Sequence, residues 1–229
     1  MFKILYVEDD PNLGYVTKDA LEESGFEVIH VTDGKKGWEA FQMQSFDICL
    51  LDVMLPQVDG FTLAEKIRSN NFSIPIIFLT AKGSQEDRIN GLQIGADDYV
   101  IKPFHIDELI LRIRVFLKRK AIQEWNGSGD ILKLGSFTFY PSEQKLQHTT
   151  QAFHLTHRET EVLQFLAIRL NQIVKREDIL VTIWGRDDYF LGRSLDVFIS
   201  RLRKMLSLDT SVKIENVHGI GFKLSNLPE

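Results

Sequence analysis

Four short apolar runs, at residues 4–7, 49–51, 76–79 and 99–101, with a weaker fifth at 28–31, constrain what this chain can fold into more than any other feature. Runs so short and so uniformly apolar suit strands covered on both faces. Between them Leu13, Val16, Ala20 and Leu21 keep helical spacing and stop at Gly25, and Leu109, Ile113, Phe116 and Leu117 repeat that spacing later. A strand–helix unit repeated five times over residues 1–120 predicts a flavodoxin-like α/β unit, a parallel sheet with helices on both faces.

In open sheets of this kind ligands bind beyond the carboxyl ends of the strands, where the strand order reverses. The polar residues predicted there are few: Glu8-Asp9-Asp10 after the first strand, Asp52 on the third, Thr80 on the fourth and Lys102 after the fifth. Asp52 closes an apolar run, and Pro56 and Asp59-Gly60 then turn the chain away. Crowded carboxylates need a counter-charge, and a hard divalent cation such as Mg²⁺ supplies it through oxygen ligands. The set suits phosphoryl transfer onto Asp52, with Lys102 as a point charge on the phosphoryl group and the Thr80 hydroxyl hydrogen-bonded to one of its oxygens. Each residue alone has a plainer reading: Glu8 and Asp10 as helix caps, Thr80 as a turn residue, Lys102 as a surface cation, Tyr99 as core. Their joint arrival at one end of one sheet favours the site. Cys49 reads as a small buried strand residue.

The 229 residues suffice for two domains. A single cysteine excludes an internal disulfide framework, and no apolar run reaches the length of a membrane span. The start runs straight into a strand, so a cytoplasmic protein without membrane contact is expected. Charge divides unevenly: residues 1–125 carry 14 Lys and Arg against 20 Asp and Glu, while residues 126–229 carry 13 against 12. The mixed-sign set Arg88, Asp97, Asp98, Glu108, Arg112, Arg114, Lys118 and Arg119 suits either a solvated surface or a two-fold contact that uses one patch twice.

Residues 121–130, with Asn126-Gly127-Ser128-Gly129, break both periodicities and read as a joint before a second domain at 131–229. Short strands are predicted at 133–139, 145–147 and 152–155. Thr156-His157-Arg158-Glu159 fits a capping box opening a helix that carries Val162, Leu163, Leu166 and Leu170. A second helix from about residue 176 ends at Gly185. A third, over about 193–207, buries Leu195, Ile199, Leu202 and Leu206 and presents Arg193, Val197, Ser200, Arg201 and Lys204, with Arg203 on the flank. Such a face suits double-stranded DNA: Arg reads guanine in the major groove, Val methyls touch thymine, and the other cations meet phosphates. A hairpin over 213–224, turning through Gly219 and Gly221, closes the chain.

Glu8-Asp9-Asp10, Leu51-Asp52-Val53-Met54-Leu55-Pro56, Phe78-Leu79-Thr80-Ala81 and Lys102-Pro103-Phe104 together resemble the receiver domain of two-component response regulators. The three helices and hairpin of the second half resemble the winged-helix output domain of the OmpR/PhoB family. Residues 74–82 and 214–224 are most similar to its RprY-like branch. The resemblance implies a sensor histidine kinase that phosphorylates Asp52. It implies Mg²⁺ held by Asp9, Asp52 and the Met54 backbone carbonyl, with Glu8 acting through water. It further implies a cis peptide before Pro103, and a Tyr99 that turns inward as Thr80 moves to the phosphate. Phosphorylation is expected to form a homodimer through Arg88, Asp97, Asp98, Glu108, Arg112 and Arg119, pairing Arg88 with Glu108 and Asp98 with Arg112 across subunits.

Recognition-helix residues Arg193, Ser194, Val197, Ser200, Arg201, Arg203 and Lys204 align without gaps, and residues 185–192 match a loop that contacts RNA polymerase in the family. Two departures stand out. His218 occupies the wing position where many members place an Arg, which makes a weaker or pH-dependent minor-groove contact. Phe198 replaces a phosphate-binding His. The whole reads as a phosphorylation-controlled transcription factor and not an enzyme; a constitutive dimer of the same fold is the alternative. An aspartyl-phosphate phosphatase needs a general acid two residues after the nucleophile, where this chain has Met54.

Overall fold

A computed structural model describes residues 1–81, 91, 94–125, 131–185 and 189–226; the side chains of 118–125 and 189–191 fall outside that description. The chain divides into two compact units, Met1–Trp125 and Asn126–Glu229.

The first unit is a five-stranded parallel sheet, β1 (Lys3–Val7), β2 (Glu27–Val31), β3 (Ile48–Asp52), β4 (Ile76–Thr80) and β5 (Asp98–Ile101), in the order β2-β1-β3-β4-β5. Side chains alternate between the two faces of the strands. Ile4, Tyr6, Leu50 and Leu79 pack with Leu109, Ile113 and Phe116 on one face, while Leu5, Val7, Leu51 and Phe78 pack with Leu63 and Ile67 on the other. Helices α1 (Pro11–Glu23), α2 (Gly34–Met43) and α3 (Gly60–Asn70) each open on an aspartate whose carboxylate accepts from first-turn N–H groups: Asp10, Asp33 and Asp59.

Several details differ from the sequence expectation. In α1 the buried face is Gly14, Thr17 and Leu21, while Val16 lies exposed. The reason is His30, whose ring fills the space a Cβ on Gly14 would occupy and lies tilted against Tyr6, ring centroids 5.0 Å apart. The last helix of the unit, α4, runs Ile106–Trp125, into the stretch expected as a joint. Ala121, Gln123 and Glu124 are good helix formers, and the first glycine stands only at 127. Residues 126–130 lie outside the described residues.

The second unit begins with an antiparallel sheet of β6 (Leu132–Leu134), β7 (Phe137–Tyr140), β8 (Lys145–Gln147) and β9 (Ala152–His154). The strand expected over 133–139 is thus two, because Gly135 takes a left-handed turn at φ 55°. Then follow α5 (His157–Ala167), β10 (Ile173–Lys175), α6 (Arg176–Trp184), α7 (Tyr189–Leu206), β11 (Val212–Val217) and β12 (Gly221–Asn226). The capping box of α5 forms as expected, and Gly185 ends α6 at φ 80°. Strand β10, not foreseen, pairs with β12 to complete a three-stranded sheet ordered β10-β12-β11.

Helix α7 begins at Tyr189, earlier than expected, so 189–192 are helical and leave the predicted loop; 186–188 lie outside the described residues. Within it the Gly192 carbonyl accepts from the guanidinium of Arg176 on α6.

Candidate functional site

The register of the sheet carries the first site. Asp52 on β3 lies opposite Leu79 on β4, and Thr80 on β4 lies opposite Ile101 on β5, so Asp52, Thr80 and the following Lys102 share one edge. The turn after β1 supplies Glu8 and Asp9. Carboxylate oxygens of Glu8, Asp9 and Asp52 lie within 4.8 Å of one another.

Glu8 is fully buried and Asp52 nearly so, at 0% and 6% exposure, whereas Asp9 is open to solvent. Lys102 bridges the two buried acids, its Nζ donating to Asp52 Oδ2 at 2.6 Å and to Glu8 Oε2 at 2.5 Å. The Met54 N–H donates to Asp52 Oδ1 at 3.0 Å. Burial pushes the Glu8 carboxyl above its ordinary range, and the like charge of Asp52 adds to that against the bond from Lys102. Burial alone would lower the Lys102 ammonium; its bonds to Asp52 and Glu8 outweigh that and raise it. Two buried acids thus need a cation between them, and here an ammonium stands in that place. Oxygen donors alone, one of them open to solvent, make a donor set that fits a hard divalent ion.

Of the plainer readings, Asp10 takes the cap: its Oδ1 accepts from Asn12 and Leu13 at 2.8 and 3.0 Å. Glu8 does not cap the helix. Thr80 is fully buried. Tyr99 lies half-buried against Phe78, with ring centroids 5.2 Å apart, and a Cβ on Gly91 would overlap its hydroxyl. The Lys102–Pro103 peptide is cis, as the resemblance implied. Cys49 is buried, which pushes its thiol up to about 12.

Beyond this pocket, Asp97, Asp98, Glu108 and Arg112 are ion-paired within the chain. Asp97 is a correction to the predicted surface patch: it is fully buried, accepting from Arg68 Nη2 at 2.7 Å and from the Ile76 N–H at 2.9 Å. Asp98 accepts from Arg112 Nη1 at 2.6 Å, and Arg112 Nη2 donates to Glu108 Oε1 at 2.7 Å. The expected cross-subunit partners of Asp98 therefore have an in-chain alternative. Arg88 and the side chain of Arg119 lie outside the described residues.

Among the described side chains of α7 the exposed ones are Arg193, Asp196, Ser200 and Lys204, with Ser194 and Val197 partly covered. Arg201 turns towards the fold, pairing at 2.9 Å with the buried Glu159 of the α5 capping box. Arg203 bonds strand β11. Phe198 is fully buried beside Trp184, ring centroids 5.9 Å apart, so it belongs to the core and does not stand where a phosphate contact would be made. His218 is exposed in the turn between β11 and β12. Sequence reasoning missed Arg176 and Asp196, which pair at 2.8 Å. Residues 20 apart on separate helices leave no periodic signal.

A receiver sheet with an acidic pocket, joined to three helices and a wing, defines a class, and comparison with known proteins agrees. Residues 4–114 match the response regulator receiver domain family and residues 150–224 the family "Transcriptional regulatory protein, C terminal". The chain belongs to the response regulators of the OmpR/PhoB type, transcriptional regulators that carry a receiver and a DNA-binding domain.

Among its relatives is the transcriptional regulatory protein RprY of Bacteroides fragilis (strain YCH46), 44% identical over 222 residues, covering 97% of this chain and 94% of that protein. The uncharacterized transcriptional regulatory protein YclJ of Bacillus subtilis (strain 168) is 35% identical, with 96% and 98% covered. Among solved structures, the response regulator DrrB of Thermotoga maritima, described as an OmpR/PhoB homolog, superposes with a TM-score of 0.53 at 28% identity, with 98% and 99% covered.

Proposed function

We propose that Asp52 is the phosphoacceptor and that its modification controls the DNA binding of this transcriptional regulator. The observation that carries the reading is the convergence of Glu8, Asp9, Asp52 and Lys102 at one sheet edge, with the ammonium on both buried acids. Asp52 attacks phosphorus on a phosphohistidine of a sensor kinase. The P–N bond breaks, and the imidazole nitrogen keeps the electron pair and takes up a proton. Asp9, Asp52 and the Met54 carbonyl would hold Mg²⁺, with Glu8 acting through water. The ion, when bound, neutralises charge developing on the transferred group. Lys102 holds the phosphoryl oxygens as a point charge, and the Thr80 hydroxyl hydrogen-bonds one of them.

Thr80 then moves towards the phosphate, and Tyr99 sets the face that includes Asp98, Glu108 and Arg112 for self-pairing, with Arg88 and Arg119 as further members. Dimerisation makes the second DNA contact intramolecular, so two weak half-site affinities combine. In this reading the unit that ends with α4 at Trp125 receives the signal, residues 126–130 link it to the next, and 131–229 bind double-stranded DNA through Arg193, Ser194, Val197, Ser200, Lys204 and His218. Residues 185–192 offer a contact for RNA polymerase. The protein acts in the cytoplasm and turns over no substrate of its own. Among the described residues no helix is long and apolar enough to cross a membrane.

The test is intact-protein mass after incubation with acetyl phosphate and Mg²⁺. One added phosphoryl group on the wild type and none on Asp52→Ala is expected. Equal labelling of both places the acceptor elsewhere.

A further inference from the structure

We infer that Arg203 is a positioning residue, the strut that sets the wing against the DNA-reading helix, and not a DNA ligand. From the sequence it belongs to the basic flank of that helix. In the structure its guanidinium is spent on strand β11: Nε donates to the Ile214 carbonyl and Nη2 to Asn216 Oδ1, both at 2.8 Å. In the hairpin Ile214 lies opposite Leu224 and Asn216 opposite Phe222, so the two acceptors sit on the strand that leads straight to His218 and Gly219 at the tip. Gly219 turns the tip at φ 72°.

Three guanidiniums tie α7 to three different elements: Arg201 reaches α5 through Glu159, Arg176 of α6 reaches Asp196, and Arg203 reaches β11. Arg176 also meets the wing, on β12 and the turn, its guanidinium 5.6 Å over the Phe222 ring and its backbone N–H donating to the Ile220 carbonyl at 3.0 Å; Arg203 is the link from α7 itself to β11. Between helix and wing lies a cleft of about 340 Å³, with Asp196 and its partner Arg176 on one wall and Asn216 and His218 on the other. Arg203 acts on this cleft through Asn216, which lines it, and so bears on whether α7 and the wing tip reach neighbouring grooves of one duplex together. A planar fork with donors in fixed directions satisfies both acceptors at once; a Lys ammonium on a flexible stem does not reproduce it.

The inference rests on α7 and the wing being the DNA interface. The test uses the full chain loaded with beryllofluoride and Mg²⁺, and a duplex selected from random-sequence DNA by the wild type. Affinity is measured over a salt series on that duplex and on versions altered beneath the wing or beneath α7. The proteins are the wild type, Arg203→Lys, Arg203→Met, Asn216→Ala and the Arg203→Met/Asn216→Ala double variant, with thermal unfolding followed alongside.

A strut predicts that Lys and Met at 203 weaken binding alike, about tenfold, with the salt slope unchanged. Asn216→Ala weakens it in the same sense, and the double variant loses no more than Arg203→Met alone. Discrimination beneath the wing falls while that beneath α7 persists. A phosphate contact predicts the opposite: Arg203→Lys close to wild type, Arg203→Met with a slope shallower by about 0.9, and Asn216→Ala without effect. That outcome overturns the inference. If the Arg203 variants fail to fold, Asn216→Ala decides, since the residue is exposed; unchanged wing discrimination there also overturns it. A wild type that selects no duplex removes the DNA-interface reading itself.

Discussion

Lys102 Nζ lies 2.6 Å from Asp52 Oδ2, although the two residues stand 50 positions apart in the chain. The same ammonium reaches Glu8, 94 positions away. The parallel sheet exists in part to hold that arrangement, because the ends of β1, β3 and β5 lie along one edge of the sheet ordered β2-β1-β3-β4-β5 and the long Lys102 side chain reaches both acids from there.

Replacing Lys102 by Met leaves two buried carboxylates facing each other, and the unfolding free energy at neutral pH should fall by about 3 kcal/mol. Glu8 is already raised above 4.5 by burial and by Asp52, so the folded state binds its proton more tightly than the unfolded chain does. The ionised form is therefore the costly one. The deficit should shrink as pH falls through the folded value of Glu8 towards 4.5. Urea unfolding at several pH values reads this directly, and a deficit that ignores pH assigns the loss to packing instead.

Gly91→Ala should blunt the switch. A Cβ there would overlap the Tyr99 hydroxyl and crowd Phe61 Cε1 at 2.8 Å, so the phenol must leave its half-buried position. Dimer formation on adding beryllofluoride, followed by sedimentation, should fall several-fold against the wild type. An undiminished response means the position of Tyr99 has no part in the change.

Glu159→Gln removes the carboxylate beneath Arg201 while keeping an acceptor for the Thr156 N–H, which Glu159 Oε2 meets at 2.7 Å. A charge left without its partner at a buried site costs about 3 kcal/mol, here moderated by the partial exposure of Arg201. The unfolding transition that belongs to the second unit should shift and that of the first should not.

Asp209 joins the β6–β7 turn to the segment after α7, accepting from the N–H and hydroxyl of Ser136 at 2.7 and 2.6 Å and from those of Ser211 at 2.8 and 2.6 Å. The Ser136 hydroxyl and then the Ser211 hydroxyl hold its carboxyl well below the usual 3.8. A depressed value contributes stability above 3.8 that is lost as pH falls through the folded value. Asp209→Asn should therefore cost about 1–2 kcal/mol at neutral pH, discounted for solvent screening, and nothing at the acid end of the titration. Acid titrations of the two proteins in urea would show converging curves.

The parts legible from sequence were those set by short-range pattern. Strands buried on both faces are apolar throughout, so β1, β3 and β4 stand out, and the polar residues at their ends mark the pocket. Capping chemistry announced α5 through Thr156 and Glu159. What escaped was decided by residues far apart. Nothing near Gly14 says that His30 will fill its place, so the buried face of α1 was misread towards Val16.

The basic residues of α7 show the same limit. Arg201 and Arg203 look like DNA ligands on a helical wheel, and only the tertiary fold brings Glu159 and Asn216 to them. Strand β10 is three residues long between two helices, too short to carry a period.

The most direct measurement is DNA binding by the full chain to genomic fragments at fixed salt, with and without beryllofluoride and Mg²⁺, for the wild type and Asp52→Ala. The account predicts that the mimic tightens binding and dimerises the wild type while leaving the variant unchanged. Equal binding by both proteins under every condition would contradict it, and would point to a dimer that forms without phosphorylation.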